Sequence, residues 1–156
     1  MRRSDRAVLD DQKIDQVIND CQVCRIGFYD QGEIYIVPLS FGYVFNQGKR
    51  VFYFHGAKEG RKIELIKQSN KVGFELDTNY QLQPGSLACQ YSAKYISIIG
   101  TGNISMIEDD EEKRQAMQII MLHHTQKDNW EFKQKMLDAT AVFKLVVNEI
   151  SCKEHL

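Results

Sequence analysis

Long apolar runs are missing from this sequence, and none approaches the ~18 residues a helix needs to cross a membrane. The start, Met1-Arg2-Arg3-Ser4-Asp5-Arg6, also lacks the apolar centre of a secretory leader, and both absences point to a cytoplasmic protein. An excess of either charge is missing as well. With 20 Lys and Arg against 21 Asp and Glu the net charge is −1, so nothing draws the whole chain to nucleic acid or an anionic membrane. Any basic function must be local. Cysteine is sparse, and although Cys21 and Cys24 form a CxxC, Cys89 and Cys152 stand too far apart to complete a zinc set. They are read as reduced thiols, Cys21 closing a helix and Cys24 opening a strand as small buried residues. No repeat, low-complexity segment or linker divides the chain. At 156 residues it is expected to form a single domain over 1–156, burying roughly 70% of its unfolded surface.

What is present reads as strands joined by tight turns. Ile14, Val17, Ile18 and Cys21 recur at helical spacing behind Asp10 or Asp11 as a cap. Strands are expected over 23–29, 34–45 and 50–55, with turns at Asp30-Gln31-Gly32-Glu33 and Asn46-Gln47-Gly48. Pro38 falls inside the second of these strands and implies an edge, a bulge or a break there. A helix follows from residue 61 to about 69, then a strand over 71–77. Two more strands fit within 87–107, interrupted near Gly100 and Gly102. The run 108–112 of aspartate and glutamate opens the clearest helix, with Met117, Ile120, Met121 and His124 along one face. A short helix or ordered loop over 130–137 and a last strand over 141–150 complete the chain. Six or seven strands, three helices and no βαβ regularity argue for a mainly β fold, an antiparallel barrel or sheet with flanking helices.

The stretch Tyr53-Phe54-His55-Gly56-Ala57-Lys58-Glu59-Gly60-Arg61-Lys62 carries the chemistry. A strand stops at a glycine, crosses a short loop and enters a helix with two cations in its first turn. A helix entrance offers unpaired N–H groups and partial positive charge, which with Arg61 and Lys62 suits a phosphate. Gly56 and Gly60 would let a ligand approach the backbone. A solvated strand-to-helix turn accounts for the same residues, because Arg and Lys are good helix formers. The proline-interrupted segment before it, Val37 to Phe41, is one hairpin away and is expected to lie beside His55. Its free backbone groups suit the polar edge of a flat heteroaromatic ring. His123 and His124 resemble a metal pair, but adjacent helical residues point about 100° apart and no third ligand stands at helical spacing. They are expected to line a pocket or meet the helix dipole.

The runs Val37-Pro38-Leu39-Ser40-Phe41, Phe52-Tyr53-Phe54-His55-Gly56-Ala57 and Gly60-Arg61-Lys62 resemble the FMN-binding split barrels of the pyridoxamine 5′-phosphate oxidase superfamily, most of all its nitroimidazole-resistance (Nim) group. Tyr95-Ile96-Ser97-Ile98-Ile99-Gly100-Thr101-Gly102, the Met1-Arg2-Arg3 start and Ala141-Val142-Phe143-Lys144-Leu145 share the likeness, which spans nearly the whole chain. The resemblance implies a six-stranded antiparallel split β-barrel and a homodimer holding FMN, or FAD, at its interface. By analogy Val37, Pro38, Leu39, Ser40 and Phe41 would contact the ring. His55, Lys58, Gly60, Arg61 and Lys62 would hold the phosphate end, and Ser97, Ile98 and Ile99 would add contacts, some from the partner chain. His55 is the one catalytic candidate.

The full substrate signature of the pyridoxamine-phosphate oxidases is not seen toward the C-terminus, so that activity is not expected. The expected function is reduction of a small oxidised substrate such as a nitroimidazole, with NAD(P)H or another electron donor. No GxGxxG fingerprint appears, so a nicotinamide would have to bind directly over the flavin. The alternatives are a flavin-binding carrier or sensor without turnover, a structural barrel with an empty loop and, ranked lower, haem handling. No metal and no nucleic acid are expected.

Overall fold

A computed structural model describes residues 4–156, and the Met1-Arg2-Arg3 start lies outside the described residues. After a 3-10 turn at Ser4–Arg6 come β1 (Ala7–Val8), α1 (Asp11–Asp20), β2 (Cys24–Asp30), β3 (Glu33–Leu39), β4 (Gly42–Asn46) and β5 (Lys49–Ala57). Then follow α2 (Arg61–Gln68), β6 (Lys71–Gln83), β7 (Ser92–Met106), α3 (Asp110–Thr125), α4 (Gln134–Ala139) and β8 (Thr140–His155). The strands form one antiparallel sheet in the order β3-β2-β6-β7-β8-β5-β4, with β1 on β8. The mainly β antiparallel architecture with flanking helices is the one expected, but the sheet has eight strands rather than six among the described residues.

Local chemistry explains most boundaries. Asp10 caps α1 by accepting a hydrogen bond from the Gln12 N–H at 3.0 Å, and Asp109 caps α3 through the Glu112 N–H at 2.8 Å. The β2–β3 and β4–β5 hairpins turn on Gln31-Gly32 (φ 50° and 100°) and Gln47-Gly48 (φ 50° and 75°), the left-handed pair that two-residue hairpins favour. Cys21 sits at the C-cap of α1 and Cys24 opens β2, both buried and free, with burial pushing the Cys21 thiol up to about 12.

Two expectations are corrected. The strand expected over 34–45 is two strands, and β3 and β4 lie at opposite ends of the sheet order. Pro38 sits on the edge strand β3, opposite Arg25, where its missing N–H removes no bond from the ladder's interior. The chain therefore crosses from one end of the sheet to the other at Ser40-Phe41. Alternation of apolar residues shows which face a residue takes and not which strand it pairs with. Likewise, the two strands expected within 87–107 are the single strand β7. Its glycines mark close approach rather than interruption: a Cβ on Gly100 would come 2.4 Å from the Glu149 carbonyl oxygen and 2.5 Å from Phe74 Cζ. At Gly102 the same atom would lie 2.6 Å from the Val146 carbonyl oxygen, beside a β7–β8 register shift.

The barrel core is aromatic, with the Phe52 ring 5.3 Å from those of Phe41, Tyr43 and Phe74. Helix α1 adds Ile14, Val17 and Ile18 to it, and α2 adds Ile63, Leu65 and Ile66. Helix α3 packs against β4 and β5 so closely that a Cβ on Gly42 would meet the Ile120 nitrogen at 2.5 Å. Its buried stripe is Lys113, Ala116 and Ile120, one step round from the face expected from the sequence.

Candidate functional site

The strand β5 ends at Ala57, and the loop at 58–60 delivers the chain into α2. Gly60 has φ 114° and ψ 167°, a conformation that side-chain-bearing residues rarely adopt. Being glycine, it also leaves the helix entrance without a side-chain cap: Ile63 and Glu64 turn their N–H groups back to the Gly60 carbonyl at 3.0 and 3.3 Å. A Cβ on Gly60 would meet nothing within 4 Å, so the entrance faces open space. At Gly56 the situation is reversed. A Cβ there would lie 3.0 Å from Lys62 Cε and 3.2 Å from Lys62 Nζ. Glycine at 56 lets the Lys62 side chain fold back across the end of β5, which puts an ammonium beside the entrance.

Arg61 is engaged elsewhere. Its guanidinium bonds Asp30 at 2.7 and 2.9 Å, reaches Glu33 at 3.5 Å and stacks 4.7 Å from the centre of the Tyr35 ring. Helix α2 is thereby fastened to the β2–β3 hairpin. Arg61 and Glu33 are exposed and their contact is screened by solvent, whereas the Asp30 side chain is only 19% exposed, so an anion at the entrance competes with Asp30 for Arg61. Sequence reading singled out Arg61 but not Asp30 or Glu33, although the acidic turn that carries them was visible.

His55 stands on the outer side of β5, opposite Val142 of β8. Its side chain is exposed, yet enough protein surrounds it that desolvation, followed by the nearby His124, lowers its pKa below the usual imidazole value. The other histidines are committed: His123 Nε2 to the Cys21 carbonyl at 2.8 Å, His124 Nδ1 to Gln22 at 3.0 Å, and His155 Nδ1 to the Ala93 carbonyl at 2.7 Å. The His123 ring also lies 4.5 Å from that of Phe41. His123 and His124 thus tie the end of α3 to the end of α1. Among the described residues His55 alone of the four has no hydrogen bond to its ring.

The remaining candidates belong to β3, the short connection after it and β7. Val37, Pro38 and Leu39 belong to β3, which pairs with β2 and is not β5's neighbour in the sheet. The expectation that Val37 to Phe41 lie beside His55 in the sheet is not met by Val37 to Leu39; the ladder with β5 begins just after the segment, where Gly42 pairs with Tyr53 two residues from His55. Ser40 is in the crossover, and the Phe41 side chain is sealed in the core. On β7 the Ile98 side chain is also in the core, so a ligand could reach only its backbone, whereas Ile99 is 60% exposed on the outer face with Ser97 beside it on the same side. Lys58 faces a small cavity with Lys67 and Lys113. Among the described residues no group of three or more His, Cys, Asp or Glu could hold a metal, and no helix is long and apolar enough to cross a membrane.

Comparison with known proteins places this geometry in a family. Residues 10–154 match the family described as pyridoxamine 5′-phosphate oxidase. A Bacteroides thetaiotaomicron protein provisionally assigned to 5-nitroimidazole antibiotic resistance is 32% identical, with 95% of this chain and 86% of that chain aligned at a TM-score of 0.82. The flavocytochrome Anf3 of Azotobacter vinelandii (19% identity, 100% of this chain and 72% of that one, TM-score 0.81) shares the fold. So does an FAD- and haem-binding protein of Mycobacterium smegmatis (15% identity, 96% and 73% coverage, TM-score 0.81). No curated protein matches the sequence. On the breadth of the family match and the identity to the Bacteroides protein, the chain belongs to the pyridoxamine 5′-phosphate oxidase-like split-barrel family.

Proposed function

We propose that this protein is an FMN-dependent oxidoreductase that reduces a small oxidised substrate such as a nitroimidazole, with the FMN phosphate at the entrance of α2. The observation that carries the reading is the open, uncapped entrance at Gly60 with Lys62 folded over Gly56 beside it. The N–H groups of Arg61 and Lys62 and the Lys62 ammonium would hold the phosphate, with Arg61 joining them once released from Asp30. FMN has about 30 heavy atoms, and at about 0.3 kcal/mol each the complex reaches roughly 9 kcal/mol, a sub-micromolar affinity. FAD is the alternative, its pyrophosphate presenting the same chemistry.

The bound flavin would supply hydride transfer, and the chain's own task is to bind, orient and shield it. His55, uncharged at neutral pH and without a hydrogen-bond partner in the fold, can donate one ring N–H to the cofactor or a substrate oxygen. Val37 to Phe41 follow the hairpin that Arg61 holds and lead into Gly42 opposite Tyr53, whereas Ser97 to Ile99 are on β7, which does not pair with β5. A homodimer that brings the second set from its partner would assemble them around one ring. The likeness to the Bacteroides protein supports a nitro-group substrate. With one catalytic candidate, a flavin carrier without turnover is the second reading. Haem handling is ranked lower, and a haem titration without a Soret shift would dispose of it.

The purified protein should show flavin absorption and release FMN on denaturation. NAD(P)H should bleach it anaerobically, and a nitroimidazole should restore the colour. Bleaching without recovery would eliminate the nitroreductase reading, flavin that never bleaches would favour the carrier, and a protein that neither contains nor takes up flavin would defeat the proposal.

A further inference from the structure

A cavity of about 170 Å³ lies between α2, the β7–α3 junction and the start of β8. Lys58, Lys67 and Lys113 line it, and the only carboxylate among the lining residues is Glu108. Its floor is apolar, formed by Ile63, Ile107 and Val142. Lys58 and Lys67 are on the exposed rim, but Lys113 is only 9% exposed. Among the described residues no hydrogen bond reaches the Lys113 ammonium, and its one ion pair is with Asp110 at 3.9 Å, beyond hydrogen-bond distance. The stem of Lys113 is buried, but its ammonium reaches solvent with no hydrogen bond in the fold, and two more cations line the same space.

We propose that this cavity is a binding site for a small oxyanion of the phosphate class. Its volume falls below the ~300–1,000 Å³ of pockets that take ring-sized ligands, so a flavin ring is excluded and a tetrahedral anion fits. Lysine holds phosphate as a point charge with three donors, and three lysines can each meet a different oxygen. The long side chains of Lys58 and Lys67 can close over an anion seated on Lys113. Glu108 and Asp110 are the charges that oppose it. Lys58, which the resemblance placed at the phosphate end of the flavin, lines this cavity instead, and the other two lysines are not among the flavin candidates, so the site's existence does not rest on the flavin reading.

The test measures inorganic phosphate binding by calorimetry and by thermal shift, against chloride at equal ionic strength. Wild-type protein is compared with Lys113→Met, Lys67→Met and Glu108→Gln. Lys113→Met keeps the length and apolar stem of the side chain, so it should fold, and Lys67→Met alters only the rim. We expect Lys113→Met to weaken phosphate binding at least about tenfold, the loss of one charge-assisted contact. Lys67→Met should weaken it less and Glu108→Gln should strengthen it, while the flavin-to-protein ratio of Lys113→Met stays that of wild type. A phosphate effect no larger than that of chloride, or one that survives Lys113→Met, would overturn the proposal. Flavin lost from Lys113→Met would overturn it too, because Lys113 would then belong to the flavin site.

Discussion

Lys62 and Arg61 are adjacent in sequence, but the fold gives them different neighbours. Lys62 lies across Gly56 with its ammonium beside the helix entrance, while Arg61 is held by Asp30, Glu33 and Tyr35. An anion at the entrance meets Lys62 directly and must compete with two carboxylates for Arg61. Lys62→Ala should therefore lose more flavin than Arg61→Ala, with the single lysine contact alone changing affinity by roughly 10–100-fold. The double variant should be folded and colourless. Flavin titration of the three variants decides, and a double variant that copurifies with full flavin occupancy contradicts the phosphate assignment. The glycines and cations of this loop were legible in the sequence because each answers to a local backbone or charge requirement. Asp30's hold on Arg61 was not, since the two are 31 residues apart and only the packing of α2 against the hairpin joins them.

The histidines give a second residue-scale consequence. Burial lowers the pKa of both His55 and His123 below the usual 6.5, and in each case His124 adds to the shift. The unfolded chain then takes up protons at these sites at a higher pH than the folded one does. The stability contributed is present above about 6.5 and is lost as the pH falls through the folded-state values. The thermal midpoint should decline between pH 7 and 5, and His123→Gln should flatten part of that decline. Imidazole NMR titrations should put both midpoints under 6.5, and midpoints above it, or a melting temperature that climbs on acidification, would contradict the assignment.

At the scale of the element, helix ends were easier to foresee than strand partners. Asp10 or Asp11 was expected to cap α1 and the acidic run 108–112 to open α3; the structure caps them with Asp10 and Asp109, each acting within three residues. Asp109→Ala removes the bond to the Glu112 N–H and one carboxylate near the positive end of α3, about 1 kcal/mol. For a chain of this length the thermal midpoint should drop by about 2–4 °C, read by calorimetry, with Asp109→Asn restoring most of it. No change in Asp109→Ala would show that α3 is held by its packing on β4 and β5 alone. Strand pairing depends on contacts distant in sequence. The alternation over 34–45 gave the faces of β3 and β4, but their placement at opposite ends of the sheet depends on β2 and β5, which carry no local signal for it. Gly100 and Gly102 misled for a related reason: what excludes a side chain there is another strand's backbone.

At the scale of the molecule, the outer face of the sheet has an unusual composition. Tyr29, Ile34 and Ile36, 69%, 67% and 61% exposed, gather where β2 and β3 pair, and Ile99 lies two strands away on the same face. Between them Gly27 pairs with Gly73, leaving a furrow of about 590 Å³ that runs on to Thr101 and Asn148. Scattered apolar residues on a surface need no explanation, but a cluster beside a furrow suits association with a second copy. This face carries Pro38 and Ile99, both candidate ring contacts, whereas His55 is on β5, which pairs with neither β3 nor β7. A second copy seated here could bring the two sets together, as a two-fold dimer does when one patch pairs with itself. The protein should accordingly have twice the mass of the 18.1 kDa chain in solution. Ile36→Glu places an unpaired charge in that interface and spares the core, since the position faces outward on an edge strand. The variant should run as a folded monomer in size-exclusion chromatography with light scattering, and its flavin content should fall with its dimer content. A variant that loses the dimer and keeps its flavin would show that each chain holds the cofactor alone. A wild-type protein already monomeric and fully loaded would show the same without any substitution.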